Sequence, residues 1–192
     1  MKTINKVAIF GSARIQENET EYNVAYKLAK EFAQNGVDIV TGGGPGIMEA
    51  ANKGAIDANG RSYGYTLDIK DQVPNFYCSR ELLYKCKDFQ ERKKLLMQDI
   101  DVFIVFPGGF GTLDEFFEVL VHILTNKIKL APIILYHKVF WNELISWFQL
   151  KLANQGMVEQ RYVEILMISD TLEEIIQNIE IFFGNRFKKI CQ

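Results

Sequence analysis

The sequence contains Pro107-Gly108-Gly109-Phe110-Gly111-Thr112-Leu113-Asp114-Glu115 between a short apolar run and an amphipathic segment. The run before it, Val102-Phe103-Ile104-Val105-Phe106, is typical of a strand buried on both faces of a parallel sheet. The segment after it has apolar residues at helical spacing, namely Leu113, Phe116, Phe117, Leu120, Val121 and Leu124. The glycines therefore lie where a strand ends and a helix begins. Unpaired amides and the helix dipole attract anions at such a junction, so we predict a phosphate site there.

Apolar runs and helical patterns alternate along the rest of the chain. We predict strands at residues 6–10, 37–41, 62–67, 102–106, 132–136 and 165–168, with a short strand or an ordered loop at 82–86. Helical patterns follow at residues 20–35, 47–55, 89–98, 113–124, 141–148 and 172–183. This alternation predicts one α/β domain over residues 1–192, a doubly wound, Rossmann-like parallel sheet with helices on both faces.

Composition excludes several classes of partner. The 22 basic and 24 acidic residues give a net charge of −2 with no dense basic stripe, which argues against nucleic acid. No apolar run approaches the roughly 18 residues that span a bilayer, and the first residues lack the apolar core of a signal peptide. We therefore expect a cytoplasmic protein that does not bind membranes. The three cysteines, Cys78, Cys86 and Cys191, form no CxxC pair and are expected to be reduced thiols.

A second glycine-rich turn, Gly42-Gly43-Gly44-Pro45-Gly46, also follows a predicted strand and opens a predicted helix. Glycines permit tight turns without any ligand, but two such turns at strand ends favour a shared ligand crevice. The small residues of Gly11-Ser12-Ala13-Arg14 follow the first strand in the same way. Neither glycine-rich turn matches GxxxxGK[ST] or GxGxxG, so ATP hydrolysis and hydride transfer are disfavoured.

The charged residues near these turns each allow two interpretations. With Thr112 as N-cap, Glu115 satisfies the capping-box formula, or it is a carboxylate that faces a bound sugar. Arg92 belongs to a solvated basic face or points towards the glycine loop. We expect Lys93 and Lys94 to be solvent-exposed on pattern alone, and Asp114 to interact with the helix dipole. The two histidines, His122 and His137, have no ligand partners at metal-binding spacing, so no metal site is predicted.

Several of these motifs together resemble the LOG (Lonely Guy) family. The resemblance rests on Arg92-Lys93, on the PGGxGTxxE pattern of residues 107–115, on residues 10–14 and on residues 41–52, in that order along nearly the whole chain. Such a resemblance implies a cytokinin riboside 5′-monophosphate phosphoribohydrolase, which cleaves AMP-like nucleotides to free base and ribose 5-phosphate. Members are often labelled lysine decarboxylases, although nothing in the chain resembles a pyridoxal-phosphate lysine site. The resemblance also implies a homodimer that needs no cofactor.

Site residues carry over by position. The resemblance implies that Arg92 and Glu115 are the catalytic pair. It assigns substrate or phosphate binding to Gly108, Gly109, Gly111, Thr112, Lys93, Gly11, Ser12, Gly43, Gly44 and Gly46. The segment Asp68-Ile69-Lys70-Asp71-Gln72-Val73-Pro74 departs from the family's usual substrate-loop pattern, which leaves base preference open. Two alternatives stay open as well: a nucleotide-binding or sensing module without catalysis, and a protein resembling carriers of the molybdenum cofactor.

Overall fold

A computed structural model describes residues 4–68, 73–78 and 82–186. Its seven strands are β1 (Lys6–Phe10), β2 (Asp38–Thr41), β3 (Ser62–Thr66), β4 (Leu83–Lys85), β5 (Val102–Val105), β6 (Ile133–Tyr136) and β7 (Leu166–Ser169). Its α-helices are α1 (Thr20–Gln34), α2 (Ile47–Asp57), α3 (Phe89–Met97), α4 (Phe110–Leu124), α5 (Lys138–Trp147), α6 (Gln160–Glu164) and α7 (Leu172–Ile181). Residues Phe148–Ala153 and Phe182–Arg186 form π-helical turns that continue α5 and α7.

The strands form one parallel sheet in the order β4-β3-β2-β1-β5-β6-β7. Buried side chains on one face, such as Ile9 and Ile104, pack against α1, α2 and α7. On the other face, Phe103 and neighbouring residues pack against the helices α3 to α6, whose buried residues include Phe116 and Trp141. Helices thus cover both faces of the sheet, and the predicted doubly wound α/β fold is confirmed.

The strand order reverses between β1 and β5. β1 pairs with β2 on one side and with β5 on the other. The carboxyl ends of β1, β2 and β5 consequently lie side by side, and each leads into one of the small-residue turns recognised in the sequence. Ligands of open α/β sheets bind at this kind of topological switch point.

Four details differ from the sequence prediction or complete it. Residues 83–85 pair with β3, so the short segment that was open between strand and loop is a strand. The start of α4 is Phe110, with Gly109 as N-cap, so Thr112 as N-cap was wrong. The short α6 and the π-helical turns were not predicted, because five or six residues show too little periodicity. The polar connection predicted for residues 68–75 lies partly outside the described residues.

Cys78 and Cys86 are free thiols, whereas Cys191 lies outside the described residues. No helix in the described ranges has both the length and the apolar character needed to cross a bilayer.

Candidate active site

Ser12 joins the three turns at the carboxyl edge of the sheet. Its amide donates to the carbonyl of Pro107 at 3.0 Å, and its own carbonyl accepts from the amide of Ile47 at 3.0 Å. Gly46 has a φ of +69°, and a Cβ atom there would lie 2.3 Å from the Ser12 carbonyl oxygen. A side chain at residue 46 would therefore separate the turns. Gly11 is packed in the same way, since its Cβ atom would lie 2.7 Å from the Ile47 side chain.

The loop after β5 presents open backbone amides at the start of α4. Gly109 is the N-cap, and no side chain caps the helix. The first amides of a helix have no partner within the helix, and Gly109, Phe110 and Gly111 are exposed. Thr112 is buried in the first turn, with its hydroxyl over the α-carbon of Gly108, where a Cβ atom would lie 2.2 Å from Oγ1. The turn therefore offers amides and one hydroxyl to an anion.

Arg92 and Glu115 form a buried ion pair beside this turn. Arg92 Nη1 donates to Glu115 Oε1 at 2.8 Å, and each side chain is only 11% exposed. Arg92 Nε donates to the carbonyl of Tyr65 at 2.8 Å, which fixes the plane of the guanidinium. Glu115 lies one helical turn beyond Thr112, so the ion pair and the anion site share the start of α4. The structure thus brings together the two residues that the family resemblance assigns to catalysis.

Local sequence explains how Arg92 reaches this position. Asp88 is the N-cap of α3, and its carboxylate accepts from the amide of Glu91 at 2.8 Å. The helix that begins there buries Arg92, Leu96 and Met97 against the sheet. Arg92 is thus the buried residue of the first turns and faces the carboxyl edge, whereas the apolar residues that follow enter the core.

Burial raises the pKa of the Glu115 carboxyl, and the positive charge of Arg92 opposes this without cancelling it. The carboxyl consequently holds a proton more tightly than an exposed glutamate does. A carboxylate that holds a proton more tightly is a stronger base towards a bound water molecule. The Glu115 carboxylate of this buried pair is therefore a stronger base than the carboxylate of a surface salt bridge.

The capping-box interpretation of Glu115 was wrong. Because α4 begins at Phe110, Thr112 is already inside the helix and its amide is not the one that a capping glutamate would reach. The Glu115 carboxylate accepts from the guanidinium of Arg92 instead. This pairing leaves the functional interpretation of Glu115 as the one that the geometry supports.

Lys93 is less exposed than its sequence pattern predicted. Its ammonium binds Asp114 at 3.1 Å and also Glu118, and its side chain is largely covered rather than solvent-exposed. These two carboxylates raise the pKa of Lys93, with the hydrogen bond to Glu118 as the largest cause. Its charge is thus matched by two carboxylates of α4, and its assignment to the phosphate stays a prediction. The neighbouring Lys94 is exposed, as predicted.

A buried polar network behind the second glycine turn was not recognised in the sequence. The Thr41 hydroxyl donates to Asn52 Oδ1 at 2.7 Å and accepts from the amide of Gly43 at 2.9 Å. Asn75 Nδ2 donates to the carbonyl of Gly44 at 2.8 Å. The one local signal for this network was Asn52, a polar residue on the inward-facing side of a helix whose other residues there are mostly small. No sequence pattern connected Asn75 with this network, since Gly43, Gly44 and Asn52 are distant from it in sequence.

A family model described as "Possible lysine decarboxylase" matches residues 48–179. The chain belongs to this family, the LOG family. A probable cytokinin riboside 5′-monophosphate phosphoribohydrolase of Oryza sativa subsp. japonica is 26% identical over 182 residues, 86% of this chain and 79% of that protein. A cytokinin riboside 5′-monophosphate phosphoribohydrolase of Arabidopsis thaliana is 24% identical over 183 residues, 91% of this chain and 81% of that protein. Named LOG-family relatives thus match most of the chain.

Solved structures also share the fold. The molybdenum cofactor binding protein from the phototrophic bacterium Rippkaea orientalis superposes with a TM-score of 0.69 at 23% identity, covering 95% of this chain and 99% of that chain. At this identity the likeness concerns the fold alone. The same fold therefore also occurs in a protein that is named for binding the molybdenum cofactor.

Proposed function

We propose that this protein is a cytoplasmic phosphoribohydrolase. It would hydrolyse the N-glycosidic bond of AMP, or of N6-substituted cytokinin nucleoside 5′-monophosphates, to free base and ribose 5-phosphate. The observation that carries the proposal is the buried contact of 2.8 Å between Arg92 and Glu115, one helical turn from an anion-binding loop. The LOG-family relatives support the same reaction class.

The reaction places opposite demands on the two side chains. The bond from ribose C1′ to the base nitrogen breaks with its electron pair on the base, so positive charge develops on the sugar. Glu115 stabilises this charge and orients a water molecule, whose oxygen bonds to C1′ while its proton passes to the carboxylate. Arg92 positions the nucleotide and stabilises the departing base, which takes up a proton from solvent, and Glu115 then returns the water-derived proton to solvent. The net change is the addition of one water molecule.

The phosphate supplies binding energy away from the reacting bond. In our proposal the amides of Gly108, Gly109 and Gly111 and the Thr112 hydroxyl hold the 5′-phosphate. The remaining assigned residues, Gly11, Ser12, Gly43, Gly44 and Gly46, line the nucleotide pocket. The tight packing of Gly11, Gly43 and Gly46 supports this assignment, because it keeps the turns close enough for one ligand to contact several of them. An anchored phosphate holds the ribose where C1′ faces Glu115.

A homodimer is part of the proposal. Phe110, Phe117 and Val121 are exposed on α4, and their spacing of seven and four residues places them on one face of the helix. An apolar helix face of this kind is suited to a second copy of the chain. Sedimentation analysis should give a dimer for the wild type and a monomer for Val121→Glu. A monomeric wild type would remove this part of the proposal.

A product assay tests the proposed reaction. Purified protein is incubated with a panel of nucleoside monophosphates, and free base and ribose 5-phosphate are followed by chromatography. We expect both products in equal amounts. Nucleotide binding without products would instead indicate a sensing module. If no nucleotide binds, the glycine-rich turn after β5 is better explained as the binding site of a carrier for another phosphorylated ligand, such as the molybdenum cofactor.

A further inference from the structure

Asn75 is buried against the second glycine-rich turn although it belongs to no helix or strand. It lies in the segment 73–78, which follows β3 in the sequence, whereas the turn precedes β3. Its backbone amide donates to the carbonyl of Gly43 at 2.9 Å, and its side-chain Nδ2 donates to the carbonyl of Gly44 at 2.8 Å. One residue thus holds two successive carbonyls of the turn.

The side-chain amide of Asn75 uses all of its polar groups. Besides its bond to Gly44, Nδ2 donates to Asn52 Oδ1 at 2.9 Å, and Asn75 Oδ1 accepts from the amide of Tyr77 at 2.9 Å. Only an amide offers two donors and an acceptor in this geometry. A carboxylate would place negative charge against two oxygen acceptors, and an apolar side chain would leave the Gly44 carbonyl without its donor.

Asn52 anchors this arrangement in the sheet. It accepts from the Thr41 hydroxyl at 2.7 Å and donates to the Ser62 hydroxyl at 2.7 Å. Thr41 ends β2 and Ser62 begins β3, so the network ties segment 73–78 to two strands and to α2. Buried polar networks with every partner present fix a single arrangement of the groups that they connect.

The residues just before Asn75 face the candidate active site. Val73 and Pro74 line one depression together with Arg92, Thr66 and the turn at Gly42–Gly44. Val73 is 71% exposed, so its apolar surface is available to a ligand. A ligand that reaches Arg92 through this depression contacts both the apolar wall and the glycine turn.

We propose that Asn75 is a positioning residue for nucleotide binding. It holds Val73 and Pro74 as an apolar wall for the purine base, and it fixes the Gly43-Gly44 carbonyls opposite. This inference rests on the proposed function for the identity of the ligand. Asn75 does not touch Arg92 or Glu115 among the described contacts, so it affects the affinity for the nucleotide and leaves the bond-breaking step to the catalytic pair.

A binding measurement tests this role with a matched asparagine as control. Calorimetry of AMP binding is carried out in a Glu115→Gln background, so that AMP is not consumed. Asn75→Ala and Asn75→Asp should raise the Kd for AMP by about tenfold or more, as expected for the loss of hydrogen bonds that hold a binding wall. Asn178→Ala is the control, because Asn178, within α7, also links two elements through its side chain, which donates to Ser169 Oγ of β7 at 2.9 Å. Neither residue belongs to the turns of the candidate site. The Kd of Asn178→Ala should stay within about twofold of the parent value.

Kinetics and hydrogen exchange separate positioning from general destabilisation. With Glu115 intact, Asn75→Ala should raise KM while kcat changes by less than about threefold. Peptides covering residues 42–48 and 73–78 should exchange faster in Asn75→Ala and at the parent rate in Asn178→Ala. Unchanged exchange, an unchanged Kd with a lowered Tm, or a loss confined to kcat would each overturn the proposal.

The failure of the proposed hydrolysis can be distinguished from the failure of the positioning role of Asn75. A wild type that binds AMP but releases no ribose 5-phosphate disproves hydrolysis, while the Kd values of the Asn75 variants still decide the positioning role. A wild type that does not bind AMP overturns both proposals.

Discussion

The guanidinium of Arg92 occupies the space that a side chain at Gly42 would need. A Cβ atom at residue 42 would lie 1.9 Å from Arg92 Nη2. The other two nitrogens are also fixed, Nη1 by Glu115 and Nε by the carbonyl of Tyr65. The absence of a side chain at Gly42, the first glycine of the second turn, therefore leaves the space that the Arg92 guanidinium occupies.

Gly42→Ala should displace the Arg92 guanidinium while the sheet stays intact. A misplacement of about 1 Å lowers activity on the order of 100-fold, so we expect kcat/KM for AMP to fall by about that factor. Circular dichroism should show a folded variant. Gly184→Ala is the control, because a Cβ atom at Gly184 meets nothing within 4 Å and should leave activity unchanged. Full activity in Gly42→Ala would show that activity does not require the Arg92 guanidinium to occupy this position beside residue 42.

Glu115→Gln keeps the size of the side chain and an acceptor for Arg92 but removes the charge that the mechanism requires. We expect turnover of AMP to fall by about 10² to 10⁴, with the protein still folded. The control is Glu118→Gln, one turn further along α4, where the carboxylate binds Lys93 rather than Arg92. If Glu115→Gln keeps its activity, the carboxylate is structural and the proposed mechanism is wrong.

The raised pKa of Glu115 predicts a pH dependence of stability. Because the folded protein binds this proton more tightly than the unfolded chain, the resulting stabilisation is complete below the unfolded pKa, about 4.3. It is lost as pH rises through the folded pKa. The free energy of unfolding of the wild type relative to Glu115→Gln should therefore decrease as the pH rises above about 4, as measured by urea titration. An increase over this range would mean that pairing with Arg92 outweighs burial.

Thr112→Val tests whether the Thr112 hydroxyl binds the 5′-phosphate, as proposed for the turn at residues 108–112. Valine has the same shape and fills the space over Gly108, so the fold should be unaffected. A hydrogen bond to a charged group contributes about 1.5–3 kcal/mol, and its loss should raise the KM for AMP by about tenfold or more. Thr125→Val removes a hydroxyl at the other end of α4, where it donates to the Val121 carbonyl at 2.7 Å, and should not change KM. Equal KM values for both variants would remove Thr112 from the phosphate site.

Local patterns in the sequence were sufficient to predict the sheet and the position of the glycine-rich turn between β5 and α4. The apolar run at residues 102–106 indicates a strand, and the helical spacing of apolar residues at 113–124 indicates a helix. The glycines between them mark the junction. The start of α4 was misplaced because Thr112 and Glu115 match a capping formula, whereas a glycine N-cap leaves no side-chain signal. The roles of Arg92 and Glu115 came from family resemblance, since their contact joins residues 23 apart in sequence.

Asn75 shows why the rest required the structure. Its partners, Gly43, Gly44 and Asn52, lie 23 or more positions earlier in the chain. No periodicity connects residues at such a separation, and one asparagine in a polar segment has many ordinary explanations. Only the folded arrangement shows that its amide is buried and fully bonded.

The comparison of AMP with adenosine tests the central claim most directly. Both carry the same base and the same glycosidic bond, and they differ only in the 5′-phosphate that the Gly108–Thr112 turn is proposed to hold. If the phosphate anchors the ribose for attack beside Glu115, kcat/KM for AMP should exceed that for adenosine by about 100-fold or more. Equal turnover of the two compounds, measured as free adenine released, would contradict the account.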